Sequence, residues 1–528
     1  MAIDQSTDTG GSPRTGEATP ADTKWWTLAA VCLGTFMLLL DISIVNVALP
    51  AIQSALRSSF ADLQWVVGAY ALTLAAFLLT SGSLADMYGR RRLYMAGLAA
   101  FTAASVLCGA AQSPLMLELS RGLQGIGGAT MFAVSLALLA TAFQGRERGL
   151  AFGIWGAITG VAVAIGPIVG GALVTGLSWR WIFFVNLPIG VVALAITYRR
   201  VAESRSDHAR RPDWAGFVLF TGGLAALIYA LIESSQSSFT ATRVDVSFAV
   251  AAVMLVGFVI AEARVPHPMF DLALFRLPTF TGGAIAAFGI SVSIFSVLLY
   301  LTIYLQDVLG YSAFQTGLRL LVLSGGILAV SGLAGRLTAH VPIRALIGPG
   351  LIAVGVSLLL MRGLSASSGW THLIPGLVIG GIGVGFINPP LASTAVGVVR
   401  PEQAGMASGI NSTFRQVGIA TGIALLGTLF SSRLSSAVAS LSAGTPLAGH
   451  RAAIISGLQN GQVGRVFAGV PAAQRPVLAH VTRGAFATAL DEILLVAAIL
   501  ALASGVAAFA LIRSKDFAAG AARTGPSH

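Results

Sequence analysis

A single carboxylate stands inside the apolar stretch MLLLDISIVNVALP, residues 37–50. The apolar run from Trp25 to Leu49 has about the 20-residue length that crosses a bilayer, and Asp41 is its only charge. Burying a charge in hydrocarbon is costly, so an acid in a spanning helix normally faces a polar cavity or a partner of opposite charge. Asp41 is therefore expected either to face a polar cavity or to pair with a basic side chain.

A basic side chain, Arg121, lies in another apolar run, within LELSRGLQGIGGA. Asp41 and Arg121 each lie about 7 residues, or ~10 Å at ~1.5 Å per residue, below the predicted outer ends of their helices. The two side chains can meet if these helices are neighbours. Glu118, one turn from Arg121 on the same helix, is a rival partner.

Two further acids are adjacent in sequence within an apolar run. Asp491 and Glu492 lie in the last apolar run, close to its start. Adjacent residues of a helix point to different faces, so at most one of the two is expected to face a cavity.

The composition defines the class of protein in which these charges must function. Of the 528 residues, 55% are hydrophobic and only 10% are charged, whereas soluble chains carry about 25% charged residues. This composition predicts a polytopic protein embedded in a lipid bilayer. The net charge of +11 does not indicate a nucleic-acid partner, because most basic residues fall in loops on one side of the predicted membrane.

The scan for apolar runs of spanning length predicts fourteen membrane helices. They lie near 25–48, 63–84, 93–112, 114–142, 149–177, 180–199, 215–233, 246–263, 280–306, 312–335, 344–362, 372–397, 404–431 and 484–512. An even number places both termini on one side. The excess of Lys and Arg on that side predicts that both termini are cytoplasmic and that the protein lies in the cytoplasmic membrane.

The runs divide the chain into five parts. We predict a polar tail over 1–24, a six-helix bundle over 25–199, a linker with two additional helices over 200–279, a second six-helix bundle over 280–513 and a tail over 514–528. A faint repeat supports the two bundles, since Gly82 and Arg91 align with Gly335 and Arg344. The Ser-, Ala- and Gly-rich segment 432–483 is predicted to form a mobile external loop.

Several classes of site are disfavoured. Cys32 and Cys108 both fall inside apolar runs and cannot form a disulfide framework. The histidines are scattered without ligand-like spacing, so no metal site is predicted. The sequence has no nucleotide-binding loop and no HExxH or GxSxG arrangement, which argues against ATP, other cofactors and an enzymatic activity.

Two glycine-containing segments have spacings that favour tight turns and close helix packing. In GSLADMYGRRR, 82–92, Gly82 allows close helix approach, Asp86 can pair with the basic cluster, and Gly89 permits a tight turn before Arg90 and Arg91. A purely topogenic positive cluster is the alternative. In AVAIGPIVGGAL, 162–173, the small residues form a close-packing face, and the proline can kink the helix. The residues concerned are Gly166, Pro167, Gly170 and Gly171.

These motifs carry a resemblance to a known family. Gly-x3-Asp-x2-Gly-Arg-Arg resembles the signature loop of the major facilitator superfamily, where it acts as a gate latch. GPIVGG resembles the antiporter signature of the exporters in that superfamily, and Arg121 belongs to an Arg-x2-Gln-Gly pattern linked there to proton transfer. With LDISIVNVALP, LQWVVGAYAL and WRWIFFVNLPIG, nearly the whole chain resembles the fourteen-span drug:proton antiporters.

The resemblance implies an all-α integral membrane protein with the major facilitator fold, made of two six-helix bundles plus two inserted helices. It also implies export of drug-like molecules in exchange for protons, with Asp41 as the proton-carrying acid; a fixed structural ion pair with Arg121 is the alternative role of Asp41. Asp491 and Glu492 form a second candidate proton site, and we expect the protein to function as a monomer. A dedicated exporter of one secondary metabolite is the main alternative, and GPIVGG disfavours an uptake permease. The candidate residues of the substrate cavity are Asn46, Gln124, Tyr300, Tyr304, Asn388, Asn411 and Arg415.

Some of these candidates have other roles open to them. Asn411 and Arg415 can line the cavity or bond to neighbouring helices. Tyr300 and Tyr304 can stack on an aromatic drug or serve as interface anchors. Asn388 is followed by Pro389 and Pro390, which are expected to break the twelfth span and expose carbonyl groups.

Overall fold

The computed structural model describes residues 20–143, 145–205, 213–236, 241–265, 268–338, 340–399, 403–459 and 463–517. Its helices confirm the fourteen predicted spans, by length and composition. In chain order they are α1 Thr23–Leu56, α2 Phe60–Tyr88, α3 Arg90–Gly109, α4 Pro114–Ala142, α5 Leu150–Gly176, α6 Trp181–Arg200, α7 Trp214–Ser234, α8 Thr242–Arg264, α9 Pro278–Val308, α10 Ala313–Leu337, α11 Ile343–Leu360, α12 Trp370–Val396, α13 Ala404–Leu441 and α14 Ala472–Leu511. The predicted tails lie outside the described residues except for 20–24 and 514–517.

Polar side chains cap the first turns of α2 and α10. Ser59 accepts a hydrogen bond from the backbone N–H of Asp62, and the Asp62 carboxylate accepts one from the backbone N–H of Ser59, which closes a capping box at the start of α2. Ser312 and Gln315 form the same box at the start of α10. Both boxes lie opposite the start of α1. We call the side where α1 starts the tail side and the opposite side the far side.

The two inserted helices pack on the outside of the bundles. The rings of Phe77 in α2 and Phe217 in α7 meet edge to face, with centroids 4.8 Å apart. Thr428 in α13 donates a hydrogen bond from Oγ1 to the Leu231 carbonyl of α7 at 2.6 Å. Helix α7 thus lies beside one helix from each bundle, and α8 packs on α7, where the rings of Phe220 and Phe258 lie 5.2 Å apart. This leaves the six-helix units α1–α6 and α9–α14 as the two halves.

The two halves are joined by polar and aromatic contacts on the far side. Gln306 in α9 donates a hydrogen bond to the Val47 carbonyl of α1 at 2.8 Å. The Phe314 backbone N–H of α10 donates one to Thr175 Oγ1 of α5 at 3.1 Å. The ring of Phe60 in α2 lies against rings from α9 and α13. This set of contacts closes the far side.

The packing is looser on the tail side. A Cβ added at Gly153 or Gly156 of α5, or at Gly332 of α10, would meet no atom within 4 Å among the described residues. Helices α2 and α13 stay in contact, since a Cβ at Gly409 would lie 2.6 Å from Leu79 Cδ2. On the tail side, α5 and α10 are therefore apart at these glycines, whereas α2 and α13 remain in contact.

The segment 432–483 differs from the predicted loop. Helix α13 continues to Leu441 and α14 already begins at Ala472. Two short helices, Arg451–Gln459 and Val463–Gly469, lie between them. The Gln459 carbonyl accepts a hydrogen bond from Gln53 of α1 at 3.1 Å. The prediction of a long loop is wrong. The last two spans extend past the far-side ends of the other helices, and the two short helices lie between these extensions.

The predicted break in the twelfth span is also absent. Helix α12 continues through Pro389 and Pro390 to Val396. Neither proline can donate to the preceding turn, so the carbonyls of Gly385 and Phe386 both lose their intrahelical partners. Ser331 of α10 donates a hydrogen bond to the Gly385 carbonyl at 3.4 Å, and this contact replaces one of the two missing donors.

Candidate functional site

The carboxylate of Asp41 lies at the centre of a polar cluster within the first bundle. Its Oδ2 lies 2.5 Å from Arg121 Nη1 of α4. Its Oδ1 accepts hydrogen bonds from Gln124 Nε2 at 2.9 Å and from Asn186 Nδ2 of α6 at 3.3 Å. All four side chains are almost completely buried. We call these four residues the Asp41 cluster.

The arginine of the cluster is held from several sides. Arg121 Nε donates to the Val66 carbonyl of α2 at 3.1 Å, and Nη1 donates to Gln124 Oε1 at 2.6 Å. Its guanidinium carbon lies 4.1 Å from the centroid of the Tyr70 ring, within the range of a cation–π contact. Three helices thus fix the position of the guanidinium.

The hydrogen bonds of the cluster satisfy most of its buried polar atoms. A buried ion pair is stable only when hydrogen bonds satisfy the remaining donors and lone pairs. Here both oxygens of Asp41 have partners, but Oδ1 of Asn186 is buried without one.

The predicted contact between Asp41 and Arg121 is confirmed. The prediction that both residues lie equally far below the outer ends of their helices is wrong. Helix α1 extends to Leu56, so Asp41 lies near the middle of its helix rather than close to its outer end. The rival partner Glu118 is half-buried on α4, and no hydrogen bond to Arg121 is described for it. The pairing therefore follows from the crossing of α1 and α4.

The second candidate proton site has a structural role in this conformation. Asp491 lies 3.1 Å from Arg362 Nη2 and accepts a hydrogen bond from the Gly363 backbone N–H. Gly363 has a φ of +81° in the turn that follows α11, so Asp491 holds that far-side turn in place. The neighbouring Glu492 is half-buried.

A small cavity lies between the two halves next to the Asp41 cluster. It reaches from α1, α2 and α4 of the first bundle to α13 of the second, and its lining is mainly apolar. The lining residues are Ile42, Val45, Val67, Tyr70, Ala71, Arg121, Gln416 and Ile419. Arg121 therefore connects the buried carboxylate to the space between the halves.

The predicted cavity residues fall into two groups. Tyr300 and Tyr304 are buried in the far-side closure, where the Tyr300 hydroxyl donates to the Ile423 carbonyl at 2.7 Å. The expectation that these tyrosines line the cavity does not hold in this conformation, because they pack against other aromatic rings. Gln124 belongs to the Asp41 cluster, and Asn46 is half-buried with its amide 3.4 Å from the Ile42 carbonyl.

The remaining candidates lie in the second bundle. Asn411 and Arg415 are four residues apart on α13 and share one of its faces. Ile419, one turn beyond Arg415 on this face, lines the cavity. Arg415 Nη2 donates a hydrogen bond to Asn388 Oδ1 of α12 at 3.2 Å. These three polar side chains therefore lie close to the space between the halves.

The glycine-containing loop between α2 and α3 forms the predicted ion pair. Arg90 Nη2 lies 2.8 Å from Asp86 Oδ1. Gly89 has a φ of +108°, a conformation that favours glycine. The sequence did not indicate Glu203, whose carboxylate accepts hydrogen bonds from the backbone N–H groups of Arg91 and Arg92 and so caps α3.

The glycine face of α5 packs where it was predicted to pack. A Cβ at Gly170 would lie 2.7 Å from Ile44 of α1, and a Cβ at Gly171 would lie 2.6 Å from the Ala313 carbonyl of α10. Ser43 of α1 fills the space beside Gly166 in the same way. Pro167 lies inside the continuous helix. This face therefore forms part of the far-side closure between the halves.

Asn186 is the member of the Asp41 cluster that sequence reasoning missed. It lies in WRWIFFVNLPIG, a segment that was used only for its resemblance. An isolated amide in an apolar run is a weak signal, because it can equally bond to its own helix. Its relevance follows only from the neighbouring positions of α1 and α6.

The chain belongs to the Major Facilitator Superfamily, whose family model matches residues 31–423. It is 40% identical over 414 residues to a multidrug resistance protein of Mycobacterium tuberculosis strain CDC 1551 / Oshkosh, which covers 78% of this chain and 77% of that protein. It is also 36% identical to the puromycin resistance protein of Streptomyces alboniger, over 78% of this chain and 82% of that protein.

A solved structure agrees with the fold. A bacterial homologue of the human lysosomal transporter Spinster, in an inward-facing and occupied conformation, superposes with a TM-score of 0.64 at 17% identity. The match covers 95% of this chain and 99% of that one. The protein is thus a multi-pass membrane transporter, similar to exporters that confer drug or antibiotic resistance.

Proposed function

We propose that the protein exports drug-like or antibiotic molecules across the cytoplasmic membrane in exchange for protons. The observation that carries the proposal is the buried Asp41–Arg121 pair, which lies beside a cavity between the two halves. The names of the relatives, a multidrug resistance protein and a puromycin resistance protein, support drug export as the direction of transport.

In this mechanism the cargo binds between the halves from the cytoplasm. With both termini cytoplasmic, the closed far side is external and the looser tail side faces the cell interior. A proton that binds Asp41 neutralises one partner of the ion pair and weakens its hold on Arg121. The two halves then close on the cytoplasmic side and open on the external side. Each proton that moves inward contributes about 2.3 kcal/mol per 100 mV of membrane potential.

A dedicated exporter of one secondary metabolite is the second candidate. It is favoured by the likeness to a tetracenomycin C resistance and export protein of Streptomyces glaucescens, 33% identical over 81% of each chain. Under either function the protein transports its substrate without altering it chemically.

Accumulation of ethidium and puromycin in a host that lacks its own drug exporters tests the proposal. We expect the protein to lower the accumulation of both compounds, and an uncoupler that collapses the proton gradient to restore it. Export that persists after uncoupling, with ATP depleted, would contradict proton exchange. Lowered accumulation of neither compound would favour the dedicated exporter.

A further inference from the structure

The second bundle places a cation beside the cavity without an anionic partner. Arg415 is half-buried in α13, and Ile419, one turn further along the same face of this helix, lines the cavity. Its described hydrogen bond goes to the neutral amide of Asn388 at 3.2 Å. No acid among the described residues forms an ion pair with Arg415, whereas Arg90, Arg121 and Arg362 each have one.

The N–H donors of Arg415 that have no described partner determine which chemical group the side chain can bind. A guanidinium carries five N–H donors in a planar fork and matches the two oxygens of a carboxylate. A charge at membrane depth needs an anionic or carbonyl partner. The other cation at the cavity, Arg121, is already neutralised by Asp41. Arg415 therefore lies one turn from the cavity lining as a cation that no described acid neutralises.

We infer that Arg415, held in place by Asn388, binds a carboxylate on the transported molecule. This inference rests on the proposed export function and adds organic acids to the drug-like molecules that the protein binds. Asn411, one turn away on the same face of α13, lies where it can bind a neighbouring polar group of the same cargo. An anionic lipid headgroup offers similar chemistry and is distinguished by the experiment.

Equilibrium binding to the purified full-length protein tests the assignment without depending on transport. The probes are 7-diethylaminocoumarin-3-carboxylate and its uncharged ethyl ester, in nanodiscs of phosphatidylcholine. We expect the wild type to bind the acid more tightly than the ester. Arg415→Gln should weaken acid binding by about 10-fold or more, since hydrogen bonds to charged groups are strong, and Arg415→Lys should retain part of the affinity.

Two controls identify the other outcomes. Arg319→Gln removes an arginine that stacks on Tyr311 in the far-side region, and it should leave the acid's affinity unchanged. Equal loss of acid and ester binding in Arg415→Gln would overturn the inference, as would a wild type that does not prefer the acid. Nanodiscs of phosphatidylglycerol that suppress acid binding in the wild type alone would assign the site to lipid instead.

The export assay separates this inference from the proposed function. Acid binding that depends on Arg415 in a protein that exports no compound would leave the site intact and reject export. Export of ethidium by a protein that does not bind the acid would reject the organic-acid class and leave export intact.

Discussion

The Asp41 cluster satisfies most of the hydrogen-bonding capacity of two buried charges. Arg121, Gln124 and Asn186 surround the carboxylate, and the Val66 carbonyl and the Tyr70 ring hold the guanidinium. Removing one partner of a buried ion pair typically costs about 3–5 kcal/mol, because the other charge is left uncompensated. The cluster is therefore a stabilising contact between α1, α4 and α6, and the proposed mechanism uses its carboxylate as the proton carrier.

At the residue scale we predict that Asn186→Leu destabilises the protein. The substitution removes a donor to Asp41 and to Ser105 Oγ, which should lower the free energy of unfolding by about 1–3 kcal/mol. The midpoint of thermal unfolding of the purified protein measures the effect. Asn411→Leu is the matched control, since no hydrogen bond of the Asn411 side chain is described. Equal midpoints for the two variants would show that Asn186 does not support the cluster.

At the scale of elements, α5 and α10 determine whether the far side stays closed. The backbone of α10 approaches α5 so closely at Gly171 that a Cβ there would overlap the Ala313 carbonyl. Packing of this kind depends on the absence of a side chain. The far-side closure therefore depends on glycine at this position of α5.

We predict that Gly171→Ala shifts the protein towards a conformation open on the far side. Overpacking of this size costs about 1–3 kcal/mol, and only the closed conformation bears that cost. Spin labels at Leu177 and Leu318, in a background without Cys32 and Cys108, would report a longer distance in the variant. Gly176→Ala should leave the distance unchanged, because its Cβ would meet no atom within 4 Å. Unchanged distances in both variants would argue against a role for Gly171 in the closure.

The loop between α2 and α3 is a second element with a testable role. Asp86→Asn removes the ion pair with Arg90, and we predict impaired export with normal membrane insertion. Ethidium efflux per amount of inserted protein measures the effect, and Asp245→Asn on the exposed start of α8 is the control. Undiminished efflux in Asp86→Asn would show that the loop only determines topology.

At the scale of the whole molecule, the sequence predicted the number of spans because each one must cover the bilayer thickness with apolar residues. It also predicted the partnership of Asp41 and Arg121, since two opposite charges in hydrocarbon tend to pair. The two short helices after α13 were not predictable, because helices that project into water carry no apolar signal. The role of Asn186 and the burial of Tyr300 depend on helix contacts that no local pattern encodes.

We also predict that both termini face the cytoplasm. Basic residues concentrate in the loops of the tail side, and such loops stay in the cytoplasm. Fusion of alkaline phosphatase to His528 should give an inactive reporter, whereas fusion of a fluorescent protein that matures only in the cytoplasm should give fluorescence. The opposite pattern would reverse the orientation and make the closed far side cytoplasmic.

The measurement that tests the central claim most directly is proton movement driven by ethidium in liposomes that contain the purified protein and a pH-sensitive dye. We predict that an ethidium gradient moves protons through the wild type and through Asp245→Asn. In Asp41→Asn it should move none, while exchange of labelled for unlabelled ethidium continues. Proton movement of wild-type size in Asp41→Asn would contradict the account and make the Asp41–Arg121 pair a structural contact.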